Sequence, residues 1–163
     1  MPDEAKIILG EFPCKLDDRF RLSIPQSLAD LLGDSTPWML AKERSGCLSL
    51  WNSAAWEGKL HAKVKLVEQK IRADAFGEDR IAQVQLLGRL LSTRHRPVEI
   101  KGNRLLIPEA FRAFLGVDRD PPENEVIVVG AAVCIEIWKP SAWLAYLEKR
   151  MPRFRRLFHE LSR

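Results

Sequence analysis

The chain has 163 residues, 46% of them hydrophobic and 29% charged, with a net charge of only +4. Those proportions are ordinary for a soluble globular chain, and no apolar stretch approaches the ~20 residues of a bilayer span. Three scattered cysteines, Cys14, Cys47 and Cys134, offer neither a disulfide framework nor a CxxC metal motif. The start, Met1-Pro2-Asp3-Glu4, lacks the apolar core of a secretory signal, which predicts a cytoplasmic protein.

Taken in chain order, Glu11 to Leu16 reads as a strand leading into the polar turn Asp17-Asp18-Arg19. Leu22 and Ile24 then alternate with Arg21 and Ser23, the period of a half-buried strand. Pro25 is expected at the first position of a helix that ends near Gly33. A hairpin follows, Trp38 to Ala41 against Cys47 to Trp51 across Ser45-Gly46. Trp56, Leu60, Val64, Val67 and Ile71 recur at helical spacing, as do Ile81, Val84, Leu87 and Leu91 after a break near Phe76-Gly77.

The same punctuation then returns. Arg104-Leu105-Leu106-Ile107-Pro108 opens a helix that ends near Gly116, with Glu109 suited to the helix dipole. Val126 to Val129 is expected to pair with Val133 to Trp138 across a turn containing Gly130. The tail predicts a last helix with Pro152 near its start. Phe154, Leu157, Phe158 and Leu161 would share one face and Arg153, Arg155 and Arg156 the other.

The landmarks repeat in order. Arg21, Pro25 and Gly33 match Arg104, Pro108 and Gly116 at an offset of 83 residues. Cys47, Trp51 and Trp56 match Cys134, Trp138 and Trp143 at 87, the change being assigned to a loop insertion near Asp118 to Glu125. Two copies of a β-β-α-β-β unit with pseudo-two-fold symmetry follow, an α+β fold. The divisions are a first repeat over 7–54, a helical pair over 55–92, a second repeat over 93–140 and a basic helical tail over 141–163.

The sequence holds no Gly-rich phosphate loop, G-x-S-x-G or H-E-x-x-H. Asp17 and Asp18 are neighbours that a strand would turn to opposite faces, poor geometry for an acid/base pair. An enzyme is not expected, nor a metal or other cofactor, and Cys47 and Cys134 read as buried small hydrophobes. The cations are clustered: Lys15, Arg19 and Arg21; Arg94, Arg96, Lys101 and Arg104; then Arg150, Arg153, Arg155 and Arg156 in the tail. Such clusters suit either nucleic-acid contact or a solvated face, and composition leaves both open.

Asp17-Asp18-Arg19-Phe20-Arg21-Leu22-Ser23-Ile24-Pro25, its partial copy at 100–108, the paired hairpins and tryptophans, and Gln85-Leu86-Leu87-Gly88 before the second copy decide the matter further. Together they resemble the MraZ family, within the AbrB-like group of swapped-hairpin proteins. The resemblance implies a double-split β-barrel with flanking helices. It also implies a nucleoid-associated bacterial transcription regulator that binds short direct repeats in the promoter of the division and cell-wall genes as a ring of identical subunits. Partners would be double-stranded DNA and copies of itself, without a membrane or a small-molecule substrate.

Carried onto this chain, the family's D-x-x-x-R turns point to Arg21 and Arg104 as DNA contacts, with Arg19, Lys15 and Lys101 as neighbours and Asp17 and Asp18 supporting the turn. An arginine fork can grip a phosphate or a guanine edge. An Asp17–Arg21 pair could equally just pin the turn, so Arg21 stands between the two roles. The family often places Gly before the Arg; here Phe20 and Asn103 stand there, and Ile100 occupies the second copy's Asp position. That erosion motivates a rival, an assembly protein of the same fold without DNA binding.

Overall fold

A computed structural model describes residues 7–33, 37–117 and 124–163. The first four residues and most of the expected insertion, 118–123, lie outside them. The fold is α+β, with all strand pairing antiparallel. The chain runs β1 (Ile8–Lys15), β2 (Arg21–Ser23), α1 (Gln26–Leu32), β3 (Trp38–Arg44), β4 (Cys47–Asn52), α2 (Ser53–Arg72) and α3 (Glu78–Arg94). It continues through β5 (His95–Val98), β6 (Ile100–Lys101), β7 (Arg104–Leu106), α4 (Glu109–Leu115), β8 (Glu125–Ala132) and β9 (Ile135–Trp138). Helix α5 (Pro140–Arg150), a 3-10 turn (Met151–Arg153) and α6 (Phe154–Leu161) complete it.

Six strands form one sheet in the order β1-β8-β9-β4-β3-β5, and three form another, β2-β7-β6. No ladder joins β1 to β5 among the described residues, so the large sheet is open and not a closed barrel. The halves interleave. Strand β1 pairs with β8, while β5 pairs with β3, so each half's opening strand borders the other half's hairpin. The β4–β9 ladder joins the hairpins, with Ser49 opposite Glu136.

Alternation puts one face of the large sheet into the main core. Leu40, Leu48, Leu50, Val126, Val128, Ile135 and Ile137 meet Leu22 and Leu105 of the small sheet and Leu28, Phe111 and Leu115 of the short helices. The opposite face carries two smaller clusters of like make-up. Trp51 and Trp56 pack with Met39, Ala41 and Cys134; Trp138 and Trp143 pack with Ile127, Val129 and Cys47. Each half's tryptophan pair thus covers the other half's cysteine. Burial pushes the Cys47 thiol up, keeping it protonated and hydrophobe-like.

Three expectations change. Pro25 and Pro108 have ψ of 130° and 150°, so they cap α1 and α4 from outside and are not their first helical residues; Pro140 does begin α5. Gly130 lies inside β8, paired with both Gly10 and Ile135, and the turn is Val133-Cys134 beside left-handed Ala132 (φ 65°). Glycine is needed at 130 for close approach, since a Cβ there would meet the Ile8 backbone at 2.7 Å. The second hairpin is therefore wider in sequence than its β-branched run suggests.

Candidate nucleic-acid interface

The small sheet is built from the two arginine turns. Leu22 sits opposite Leu105, both fully buried, so Arg21 and Ser23 face Leu106 and Arg104 on either side. The turns also lock each other. Ile107 N–H donates to the Phe20 carbonyl at 3.1 Å, and Ile24 N–H to the Asn103 carbonyl at 2.7 Å.

Both accepting residues are left-handed, Phe20 with φ 58° and Asn103 with φ 67°. Asn tolerates that conformation; Phe does so poorly. At Phe20 the strain is offset by packing. The ring is half-buried against the main core, and the Arg112 guanidinium lies 4.2 Å from its centroid while donating from Nε to the Ile107 carbonyl at 2.7 Å. Phe20 is thus a structural residue of the turn.

Asp17 organises the first turn. Its Oδ1 accepts from the backbone N–H groups of Arg19 and Arg21, each at 2.9 Å, and its Oδ2 from Arg21 Nε at 2.7 Å. The Arg21 backbone N–H, aided by that residue's side chain, holds the carboxyl below its ordinary range against some desolvation. The two side chains are 37% and 36% exposed, so solvent screens much of the pair's stabilising effect. What the contact does supply is aim: with Nε occupied, the terminal nitrogens of Arg21 form the guanidinium's remaining fork.

The second turn is one residue tighter. Ile100 pairs with Leu105 and Lys101 with Arg104, leaving the two-residue loop Gly102-Asn103 with φ 54° and 67°, as in a type I′ turn. Ile100 is half-buried and packs against the main core, which accounts for an apolar residue at the Asp position. Arg104 and Lys101 are exposed. Asn103 donates from Nδ2 to Gln26 Oε1, tying this loop to the start of α1.

Arg21, Lys101 and Arg104 line one open groove of about 670 Å³, together with Arg96, Glu99, Leu106 and neighbouring prolines. Four cations therefore face one carboxylate, a local excess that the chain's net charge conceals. Lys15 does not join them; it lines a separate depression of about 240 Å³ with Pro13, Cys14 and Glu125. Arg19 and Asp18 are exposed on the first turn and line neither. Arg96 was not among the expected contact residues. It belonged to a visible cation cluster, but its placement depends on the β3–β5 ladder, where it sits opposite Leu40, and on its approach to the Phe111 ring at 5.8 Å.

Comparison with known proteins places these turns in context. The profile of the family described as "MraZ protein, putative antitoxin-like" matches residues 7–77 and 101–159. That match includes both turns and leaves out Arg96. A protein of Heliobacterium modesticaldum named "Transcriptional regulator MraZ" is 26% identical over 95% of this chain and 96% of its own length. Proteins of the same name from Tropheryma whipplei (28% identical; 95% and 96% covered) and Thermus thermophilus (27%; 86% and 87%) align similarly.

Proposed function

This chain belongs to the MraZ family, and from that premise we propose that it is a transcription regulator that binds double-stranded DNA in a sequence-specific way through the groove between its two arginine turns. The observation that carries the reading is the convergence of Arg21, Arg96, Lys101 and Arg104 on one open surface. Arg21, held at Nε by Asp17, is the preorganised fork for a base edge or a phosphate. Exposed Lys101 and Arg104, with Arg19 and Lys15 outside the groove, supply phosphate contacts. The relatives' shared name supports a regulatory role.

In this reading identical subunits form a ring, and the ring spans consecutive direct repeats of the division and cell-wall promoter in the nucleoid. Weak single contacts are thereby multiplied. The matched landmarks and recurring tryptophan–cysteine clusters support a duplicated organisation with repeats at 7–54 and 93–140, a helical pair at 55–92 and a tail at 141–163. Light scattering gives the subunit number.

The test is anisotropy titration of labelled duplex from the chain's own upstream region against a shuffled duplex, at several salt concentrations. Arg21→Ala/Arg104→Ala is expected to weaken specific binding at least tenfold. It should flatten the salt dependence by roughly 0.9 in log–log slope for each phosphate that is no longer neutralised. Equal affinity for the two duplexes, or an unchanged double variant, overturns the proposal and favours the assembly-protein alternative.

A further inference from the structure

We propose that the C-terminal helix α6 is an anionic-lipid-binding element that lies flat on a membrane surface. Trp143 fixes the start of the tail, its indole donating to Glu11 at 2.8 Å. From Glu148 to Arg163 every residue is exposed. Helix α6 has eight residues, about 12 Å, and an isolated helix of that length is marginal in water. Its apolar side chains are at the same time strongly exposed: Phe154 61%, Leu157 53%, Phe158 64% and Leu161 78%. They follow i, i+3, i+4, i+7 spacing and fill an arc of about 100°, so a single flat apolar surface would cover all four.

The charges identify that surface. Residues 149–163 carry six cations (Lys149, Arg150, Arg153, Arg155, Arg156 and Arg163) and one acid, Glu160. On the helical projection Arg153 and Arg155 flank the two edges of the apolar arc, where long side chains can reach headgroup phosphates while the rings enter the acyl boundary. A duplex would take the cations but has no apolar surface for two phenylalanines and two leucines. The apolar groove between α2 and α3, lined by Leu60, Val64, Val67, Val84, Leu87 and Leu91, is a poor home for a second copy's α6. That hairpin, residues 53–94, holds eight cations against five acids and repels a basic helix. The expectation of no membrane partner rested on the lack of a spanning apolar stretch in the sequence, and a helix lying in the interface needs no span.

The experiment uses the full chain in flotation with phosphatidylglycerol/phosphatidylethanolamine vesicles and with pure phosphatidylcholine vesicles, at 0.15 M salt. Anionic vesicles are expected to carry the protein and neutral ones not. Arg153→Gln/Arg155→Gln is expected to lower partitioning about fivefold per charge removed, and Phe154→Glu/Phe158→Glu to abolish it. Circular dichroism shows that each variant is folded. The proposal is overturned if anionic vesicles fail to bind the protein. It is equally overturned if binding survives Phe154→Glu/Phe158→Glu, or if that variant lowers the oligomer's mass in light scattering, which would place the apolar face between copies. Duplex titration of the same variant, expected unchanged, separates this result from the groove's DNA binding; a weakened duplex affinity would assign the tail to DNA instead.

Discussion

Phe20 offers a sharp test of how the first turn is held. Three substitution effects can be separated there. Truncating a fully buried Phe to Ala costs roughly 3–5 kcal/mol; this ring is half-buried, so about 2 kcal/mol is expected. Loss of the Arg112 guanidinium over the ring, 4.2 Å away, adds about 0.5–1 kcal/mol. Alanine keeps a Cβ at φ 58° and therefore keeps the left-handed strain, whereas glycine sheds about 1 kcal/mol of it. Phe20→Ala should then cost about 2.5 kcal/mol and Phe20→Gly about 1.5 kcal/mol. This reverses the usual order, in which Gly in regular structure is worse than Ala by roughly 0.5–1 kcal/mol. In a domain of this size the Ala variant should melt about 5–10 °C below the parent and the Gly variant a few degrees above Ala. The assay is urea and thermal unfolding at fixed protomer concentration, since assembly shifts apparent stability. An Ala variant at least as stable as the Gly variant would refute the assignment of strain to this residue.

Leu22→Ala and Leu105→Ala should each cost roughly 3–5 kcal/mol, because each empties a fully buried site. They face each other across the ladder, so the double variant should fall short of additivity by at least 0.5 kcal/mol in a denaturant double-mutant cycle. Asp17 gives a pH signature. Its carboxyl is lowered from an ordinary value near 3.8, so its support for the turn is complete above that value and lost as pH falls through the lower folded one. Amide exchange at Arg19 and Arg21, read by NMR from pH 6 to 2, should accelerate relative to the intrinsic rate only below about pH 4, and Asp17→Asn should show the faster exchange throughout.

The sequence made the repeated landmarks legible because turns, helix ends and tryptophans are set by local chemistry: Asp17 four residues before Arg21, Pro beside the start of each short helix, Gly at its end. What it left hidden was non-local. Nothing in Ile8–Lys15 says that its ladder partner is Glu125–Ala132, and without that pairing Gly130 reads as a turn residue when it is a point of close backbone approach. The same gap hid Arg96, whose neighbours are set by the β3–β5 register. It also separated Lys15 from the groove that its place in the chain suggested. The implied barrel closure was a property of the resemblance, and the open edges β1 and β5 could be seen only once all ladders were known.

The exchange of opening strands has a kinetic corollary. As the chain leaves the ribosome, Ile8–Lys15 emerges early and must wait, unpaired, until Glu125–Ala132 has been made. The early product can hold its own hairpin, β3 with β4, but has no lasting shelter for its leading segment. Pairing of the first strand is therefore postponed until β8 exists, and a polypeptide cut short before Glu125 leaves that strand without its ladder partner.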